Sequence, residues 1–397
     1  MPATRPSALR FDWLTRLEDL ERLEARWRAL EEAVPERFVF GGYDYVVPWY
    51  RHHQGAEGAP LVGTAWRGND LVGLMPLAFR RATLCKVPVR RADSACHDGG
   101  AGDLLLPEGG GEILAGLLDS LLKRGGLDAL LLNGLSPGSE RLHAVEEIAA
   151  SHHLALERDP YRYATIDLSR GYEAYEKSQG ANLRGTLRRR RKQASRLGGY
   201  QVERLHTSED ADRLLPFLSR VFAISERSWK ARHGDPMKER YRRFYTEVAQ
   251  RFARRGMLDL SILTVGGRDA SYIMGLRERG AYHDVTISFA EDFAPLSPGT
   301  LLLQEVARSL AEEGVERVVS HGDHDYKRSW ASGWVPQVRT VLFLPGLRGT
   351  LSRMARTRVP AVMRQLRSLG RRPPAAAPSH DGTRAGSATP EGPSRTS

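Results

Sequence analysis

Cysteine and long apolar runs are the two features that this sequence most lacks. Its only cysteines are Cys85 and Cys96, which excludes a disulfide framework and a zinc site with four thiolates and favours a reducing cytoplasm. No apolar run approaches the roughly 20 residues that cross a bilayer. The first residues show no uninterrupted apolar stretch behind their basic residues, so we expect neither a signal peptide nor a membrane-spanning helix.

The composition is that of a globular protein. Of the 397 residues, 41% are hydrophobic and 27% are charged. This supplies one large core or two modest ones, so we expect one or two domains.

The basic charge is concentrated toward the C-terminal end. The net charge is +11, but residues 346–397 contain ten arginines and two acidic residues, so +8 of the total lies there and only +3 lies before it. Residues 346–372 predict a basic amphipathic segment that a proline interrupts, and residues 373–397 predict a disordered tail. The basic segment either holds the protein weakly at the anionic inner face of the membrane or packs as an ordinary terminal helix.

A second basic cluster lies inside the chain, in NLRGTLRRRRKQASR from Asn182 to Arg196. Such a run is typical of a solvated helix face, of a site for an anionic ligand, or of an RNA contact.

Two segments of the chain repeat one pattern. GTAWRGNDLVGLMPL (Gly63–Leu77) and ILTVGGRDASYIMGL (Ile262–Leu276) each predict a β-hairpin, because an apolar run stops at a Gly-x-Asp turn and resumes toward a Met-x-Leu ending. Helical patterns precede the hairpins, from Leu14 to Leu30 and from Leu214 to Trp229. Downstream, SLLKRGGLDALLLNG and SLAEEGVERVVSHG each predict a helix end, a glycine stop and a buried strand.

Agreement of three successive elements in one order favours duplication over chance similarity. The sequence therefore predicts two α/β lobes, residues 11–159 and 161–345, joined by the arginine-rich segment.

Five stretches of the second lobe resemble the CelD-like acyltransferases of the GNAT superfamily. They are ERSWK (Glu226–Lys230), the hairpin, AYHDVTISFA, FAPLSPGTLLLQEVA and GDHDYKRSWASGW. That family is often linked to exopolysaccharide or cellulose biosynthesis, and it is similar in design to the two-lobed FemABX peptidyltransferases. The resemblance implies an α+β or mixed α/β fold of tandem GNAT-like lobes, each a central, mostly antiparallel sheet flanked by helices. It also implies acetyl-CoA or another acyl-CoA as donor, no metal, and an amine or sugar-linked amine as acceptor.

One departure concerns the pyrophosphate loop usual in GNAT proteins, a basic or Gln residue followed by Gly-x-Gly/Ala, which this sequence does not contain. The donor site therefore depends on the turn that begins at Ser297. We expect Ser297 to cap a helix, Pro298 to occupy its first position, and Gly299 to let a ligand approach the backbone. The N–H groups of the first turn, that of Thr300 included, would then favour a pyrophosphate.

The matching turn of the first lobe, LPEGGGEIL, carries Glu108 and Glu112 at the helix start. Carboxylates there satisfy the helix dipole and repel a phosphate, so we expect the donor in the second lobe. Lys327 and Arg328 are candidates to hold its phosphates as exposed cations, or are simply solvated.

Acyl transfer from a thioester needs an acid for the departing thiolate and a path for the proton of the amine. Tyr326 follows the strand VERVVS, where a GNAT-like fold places its thiolate-protonating tyrosine, although it could instead pack beside Trp330. His283, on the central strand, and Glu226, on a helix expected to face the cleft, are candidate bases that could also be structural. The residues assigned to acceptor binding are Trp229, Lys230 and Asp284.

The segment SHGDHDYKRSWASG (Ser320–Gly333) also contains acceptable zinc or iron ligands. His321 and His324 are three residues apart, with Asp323 and Asp325 beside them. Outside ligands are limited to unrelated His-Asp pairs, and either aspartate serves well as an N-cap at a strand-to-helix turn. A metal is therefore disfavoured.

These patterns leave three functions open. The leading one is an acyl-CoA-dependent N-acyltransferase for an amine of a small molecule or of an envelope or polysaccharide precursor. The second is a FemABX-like transferase that uses aminoacyl-tRNA, with Arg188–Lys192 contacting phosphates. The third is a non-catalytic protein whose basic tail binds a membrane surface or nucleic acid.

Overall fold

The computed structural model describes residues 8–34, 39–55, 58–95, 104–206, 211–228 and 239–356. Trp229 and Lys230 lie outside the described residues, as do residues 357–372 of the basic segment and the tail predicted to be disordered.

Strands and helices alternate along both halves of the described chain. The strands are β1 (Leu9–Leu14), β2 (Ala59–Arg67), β3 (Asp70–Leu84), β4 (Val87–Ser94), β5 (Ala129–Leu135), β6 (Ala155–Asp167), β7 (Tyr200–Leu205), β8 (Leu258–Val265), β9 (Arg268–Glu278), β10 (Ala281–Phe289), β11 (Arg317–Ser320) and β12 (Gly333–Phe343). The helices are α1 (Leu17–Glu21), α2 (Glu24–Ala33), α3 (Tyr43–His53), α4 (Gly111–Arg124), α5 (Glu140–Ser151), α6 (Tyr172–Ser178), α7 (Ala181–Arg196), α8 (Ala211–Glu226), α9 (Glu239–Arg254) and α10 (Pro298–Glu312). A further helix, α11, begins at residue 347 and is described to residue 356. Short 3₁₀ turns lie at Val39–Gly41, Glu291–Leu296 and Asp325–Ser329.

The described strands form one sheet in the order β1-β2-β3-β4-β5-β12-β6-β11-β10-β9-β8-β7. The pairs β4–β5 and β10–β11 are parallel, and the other neighbouring pairs are antiparallel. Both halves therefore run from an edge hairpin to a parallel pair near the middle of the sheet.

The two predicted hairpins are present and share an irregularity. In β2–β3 the register shifts between Ala65 and Trp66, and in β8–β9 it shifts between Leu263 and Thr264. Each bulge lies two pairs from its turn, so the two hairpins agree in register as well as in order. This agreement supports the predicted duplication.

The last strand of each half lies beside the other half. β6 follows the first-half elements in the chain but pairs with β11 of the second half, and β12 pairs with β5 of the first. The two exchanged strands also pair with each other over eleven positions, from Gly333 opposite Thr165 to Phe343 opposite Ala155. The lobes are thus joined by continuous backbone hydrogen bonding through the centre of the sheet.

The predicted fold class is confirmed, since a large, mostly antiparallel sheet is flanked by helices. Two local expectations differ from the structure. Leu14, placed in helical material, ends β1. The expected boundary between residues 159 and 161 falls inside β6, because that strand is continuous across both lobes.

The arginine-rich segment forms helix α7, as its pattern indicates. Leu183 and Leu187 are buried, and the Arg191 guanidinium pairs with Glu305 on α10 at 3.0 Å. One face of the helix is therefore structural, and the remaining arginines lie along its other faces.

A buried ion cluster joins helices of the two lobes. Asp44 on α3 accepts hydrogen bonds from Arg28 at 2.8 Å and from Arg251 and Arg255 of the second lobe at 3.3 and 2.9 Å. Burial alone would raise the pKa of Asp44, but the hydrogen bonds from Arg28 and Arg255 lower it to about 2.

The beginning of the basic C-terminal segment packs on the first lobe. Ser352 of α11 is buried, Arg356 pairs with Glu157 of β6, and the Leu344 amide donates to the Asp128 carbonyl at 3.0 Å. One face of α11 thus packs on the first lobe, while Leu347, Leu351 and Met354 of the same helix are exposed. Among the described residues, no helix combines the length and apolar character that a bilayer crossing requires.

We expect Asp44→Asn to destabilise the fold by roughly 2 to 4 kcal/mol at pH 7, since it removes the buried carboxylate that three partly exposed arginines share. The native pKa of about 2 lies below the ordinary 3.8. Asp44 therefore stabilises the fold above about pH 4, and this contribution is lost as the pH falls toward 2. Urea unfolding should show the difference between native and variant narrowing below pH 4. The exposed Asp12→Asn serves as control, and a difference that stays constant with pH would contradict the assignment.

Candidate functional site

Strands β10 and β11 are parallel but pair only over part of their length. The ladder joins Ala281–Asp284 to Arg317–Ser320. Just beyond Asp284, β10 is bulged and continues beside β9 to Phe289, whereas β11 ends. Separation of two parallel strands removes ladder partners from their facing edges. We call the resulting gap, between residues 285–289 and residues 321–324, the strand fork.

Helix α10 lies on the face of the sheet that carries Asp284. Side chains alternate between faces along a strand, so Ser271 of β9 shares a face with Gly275, the ladder partner of Asp284. The Ser271 hydroxyl donates to the Pro298 carbonyl at 3.1 Å. On this face the Ser320 hydroxyl also donates to the Asp284 carboxylate, which fixes the ends of the paired strands against each other.

The start of α10 opens toward the strand fork with little steric hindrance. A Cβ on Gly299 would lie 3.6 Å from Ile287 and 3.8 Å from Phe289, both ordinary contacts. The fold itself therefore tolerates alanine at this position. No acidic residue lies in the first turn of α10, whereas Glu112 lies in that of α4, so the difference expected between the two helix starts is present.

Ser297 does not cap α10 as expected. It adopts a left-handed backbone conformation with φ of 48°, and its side chain makes no capping hydrogen bond. Its carbonyl instead accepts from the amides of Thr300 at 3.0 Å and Leu301 at 3.2 Å. Pro298 does occupy the first helical position. The amide of Thr300 is thus already used within the turn.

Tyr326 lies in the 3₁₀ turn after β11 and is 52% exposed. Its ring stacks on His324 with centroids 5.9 Å apart and lies 6.4 Å from that of Trp330. The partial burial of the ring and the charge of Asp284 raise the pKa of Tyr326 above its ordinary value. The phenol therefore keeps its proton at neutral pH, and it is close enough to Asp284 for that charge to act on it.

The turn is not capped by either aspartate, contrary to expectation. His324 precedes it without a side-chain capping bond. Asp323 pairs with Arg162 at 3.1 Å, and Asp325 pairs with Arg328 at 3.1 Å. Both carboxylates thus neutralise exposed arginines.

Lys327 and Arg328 differ in environment. Arg328 is exposed, as expected. Lys327 is only 2% exposed, and its ammonium donates to the His321 carbonyl. The expectation of an exposed cation is wrong for Lys327, because its side chain turns inward and holds the loop that leaves β11.

His283 lies on the opposite face of the sheet from Asp284. It stacks on His321 with centroids 6.0 Å apart and an interplanar angle of 11°, and Phe40 of the first lobe packs against both rings. Burial and the nearby charge of Arg317 lower the pKa of His283 to about 4. Burial, followed by the two neighbours His283 and Lys327, lowers that of His321. Both rings are neutral at neutral pH.

A cavity of about 680 Å³ lies on the His283 face and is lined by both lobes. His283 and Val319 line it, while Asp284 and Ser320, the next residues on the same strands, belong to the other face. Its lining does not include the start of α10 or Tyr326. The cavity and the strand fork therefore approach the end of the β10–β11 ladder from opposite faces.

Glu226 is not brought close to His283. It is the last residue of α8 and pairs with Arg242, and the carbonyl of the next residue, Arg227, accepts from the Glu291 amide at 3.0 Å. Glu226 thus lies beyond the far end of β10. His283 is six residues away from that end, which is roughly 20 Å of extended strand.

Sequence reasoning missed Arg317 and Gln337, which line the cavity. Both are polar residues of strands far apart in the chain, β11 and β12, so their common cavity follows from the strand exchange. Within the described part of the chain, no group of three or more His, Cys, Asp or Glu residues is arranged to hold a metal ion.

A second cavity, of about 560 Å³, lies between α3 and α9 and is strongly basic. We call it the basic groove; its arginines are Arg51, Arg242, Arg243, Arg251 and Arg254. Glu247 lies among them and pairs with Arg51 and with Arg251.

Residues 181–328 match the family model of the acetyltransferase (GNAT) domain. The matched segment runs from the start of α7 through the strand fork to the 3₁₀ turn that carries Tyr326. The second lobe thus contains a GNAT-type acetyltransferase domain, and the protein is an acyltransferase.

Two solved structures share the fold across both lobes. FemX superposes with a TM-score of 0.55 at 10% identity, covering 83% of this chain and 98% of that chain. L-PGS from Bacillus licheniformis superposes with a TM-score of 0.52 at 12% identity, covering 86% and 96%. No curated protein matches the chain in sequence.

Proposed function

We propose that the protein is an acyl-CoA-dependent N-acyltransferase whose donor lies in the strand fork. The observation that carries this proposal is that the acid-free start of α10 lies on the face of the sheet that carries Asp284, at the strand fork, and that a protonated tyrosine lies in the turn after β11. The GNAT match over the same residues supports it. The acceptor is an amine of a small molecule or of an envelope or polysaccharide precursor, as the CelD-like resemblance implies.

Each part of the strand fork suits one part of an acyl-CoA. The positive end of α10 favours the pyrophosphate, for which Gly299 and exposed Arg328 are the contacts we assign. β11 pairs with β10 only as far as Asp284, so we place the pantetheine arm along the segment from Val285 to Phe289, beside the start of α10.

Tyr326 is assigned as the acid. In the transfer, a C–N bond forms to the acceptor amine while the C–S bond of the thioester breaks. Tyr326 gives its proton to the departing sulfur and regains one from solvent, which its half-exposed position permits. Partial burial and the charge of Asp284 raise the pKa of the phenol and keep it protonated until then.

The amine proton goes to His283 in this scheme. A base must be neutral before it accepts a proton, and the lowered pKa of His283 ensures this at neutral pH. His283 also lines the cavity, from which an acceptor would approach the fork on the face opposite to the donor. Geometry therefore favours His283 over Glu226, which lies beyond the far end of β10.

One observation favours a second candidate, transfer from an aminoacyl-tRNA. The basic groove spans both lobes and presents five arginines, a suitable surface for nucleic-acid phosphates. Its charge is partly neutralised by Glu247 and Glu226. On α7, Arg191 is likewise paired with Glu305. Tight binding of acetyl-CoA would favour the first function, and salt-sensitive binding of charged tRNA would favour the second.

We also propose weak contact with an anionic membrane face through α11. Leu347, Leu351 and Met354 are exposed and lie three or four residues apart, so they share one face of the helix. Arg348 and Arg353 supply basic charge beside them. Apolar and basic side chains together suit the headgroup region of a bilayer. Such a contact would suit a cytoplasmic enzyme that acts on a lipid-linked acceptor.

Gly299→Glu should reduce acetyl-CoA affinity at least tenfold, because it places a carboxylate where the pyrophosphate lies. Gly299→Ala is the matched control and should lose much less, since its Cβ makes only ordinary contacts. A glutamate in the first turn favours the helix, so loss of affinity will not reflect unfolding. Calorimetric titration measures both variants. If native protein and Gly299→Glu bind acetyl-CoA with equal affinity, the donor does not bind at this helix start.

Tyr326→Phe should lower kcat by about 10² to 10⁴ while acetyl-CoA affinity stays near native, because only the proton donor is lost. Tyr175→Phe is a structural control. It removes a hydroxyl that donates to the Trp330 carbonyl at 2.7 Å and should lower stability more than turnover. Release of the CoA thiol measures kcat, and titration with acetyl-CoA measures the donor affinity. Full activity of Tyr326→Phe would show that Tyr326 only packs.

The double variant Leu347→Glu, Leu351→Glu should largely abolish sedimentation with anionic phospholipid vesicles, which native protein should show at low salt and lose with added salt. Leu197→Glu, at an equally exposed leucine, is the control and should sediment like native protein. Native protein that ignores the vesicles at low salt, or a control that behaves like the double variant, would contradict the membrane contact.

A further inference from the structure

The cavity between the lobes is lined mainly by polar groups from both of them. The first lobe contributes Glu108, Glu140 and the loop that precedes α5, and the second contributes Arg317 and β12. A volume of about 680 Å³ lies within the range of small-molecule sites. The question is which chemistry this lining selects.

Gln337 of β12 is a buried amide with an unused acceptor. Its side chain is 3% exposed, and its Nε2 donates to the neighbouring Pro336 carbonyl at 2.8 Å. Its Oε1 is buried and has no hydrogen-bond partner among the described residues. Because an unsatisfied buried carbonyl costs free energy, a group lining a cavity in this state suits a ligand N–H or O–H.

Arg317 of β11 is an exposed cation that has no counter-ion among the described residues. In the described part of the chain it has neither a salt bridge nor a side-chain hydrogen bond. Asp167 is its ladder partner, but that carboxylate accepts from the Ser169 amide at 3.0 Å and from its hydroxyl at 2.6 Å. Arg317 lies on the same face as His283, two residues before the ladder partner of His283. An anion bound to Arg317 would thus lie beside His283.

Arg317 and Gln337 lie at opposite ends of the cavity. The ladder partner of Arg317 on β6 is Asp167, and that of Gln337 is Tyr161. Six residues along the strand, together with the width of two strand spacings, separate them by roughly 20 Å.

We propose that this cavity is the acceptor site and selects an extended amine that carries a carboxylate or phosphate near its reacting nitrogen. This rests on the proposed function. Arg317 binds the anionic group and thereby places the amine beside His283, while Gln337 accepts a hydrogen bond from the distal part of the acceptor. Arg317 and Gln337 are positioning residues; neither takes part in proton transfer.

The anionic end is tested with three small probes: glycine, aminomethylphosphonate and ethylamine. Titration of the native protein, followed by the NMR signals of arginine Nε–H groups, should show saturable binding of one or both anionic amines at Arg317 and none of ethylamine. Glycine and aminomethylphosphonate distinguish a carboxylate from a phosphate. Arg317→Gln should weaken the binding roughly ten- to hundredfold, Arg317→Lys should retain part of it, and Arg10→Gln, an exposed control, should leave it unchanged.

Three results would contradict anion binding by Arg317: no saturable binding of either anionic probe, equal binding of ethylamine, or native affinity in Arg317→Gln. Acetyl-CoA titration of the same native sample separates the two claims. Probe binding without acetyl-CoA binding would contradict only the proposed acyl-CoA-dependent function. Acetyl-CoA binding without probe binding would contradict only the proposed acceptor site.

The distal end is tested through stability. Gln337→Leu removes an Oε1 that lacks a hydrogen bond together with the Nε2 bond to the neighbouring Pro336 carbonyl, so the two effects should offset and the melting temperature should stay within a few degrees of native. A clear fall would mean that Oε1 is satisfied in the folded protein, and the distal contact would be wrong.

Discussion

The ladder between β6 and β12 is the interaction on which the architecture depends. Each strand comes from one lobe and completes the sheet beside the other, and eleven antiparallel pairs join them at the centre. Among the described strands, β5 of the first lobe is covered by β12 of the second, and β11 of the second lobe is covered by β6 of the first. The ladder also carries Gln337 and Tyr163 into one cavity with His283. A site lined by both lobes is thus a direct consequence of the exchange.

The second constraint is the early end of β11. Had β11 continued beside β10, backbone hydrogen bonds would close the sheet after Asp284. β11 instead ends at Ser320, so its ladder with β10 stops at Asp284 while β10 continues to Phe289, facing the start of α10. The first lobe has the same strand order, but acidic residues lie at the start of α4. The two lobes thus have the same strand order, and they differ in the charge at the start of the helix that follows the parallel strand.

The elements that depend on local pattern could be predicted from the sequence. Both hairpins, the glycine stops after α4 and α10, and Pro298 at the helix start follow from turn and helix chemistry. The strand exchange could not be predicted, because pairing of β6 with β11 is non-local and adjacent strands usually pair. For the same reason the cavity residues were missed. The orientation of Lys327 also escaped prediction, since its sequence neighbours are exposed while its own ammonium finds a carbonyl inside the loop.

The central claim is that the strand fork of the second lobe binds the acyl donor. Hydrogen–deuterium exchange with and without acetyl-CoA tests it most directly, because it reports on backbone amides in every element at once. Bound acetyl-CoA should slow exchange at the first turn of α10, in residues 285–289 and in the turn that carries Tyr326, and should leave the start of α4 unchanged. Protection confined to the start of α4 or to the basic groove, with the strand fork unaffected, would contradict the account.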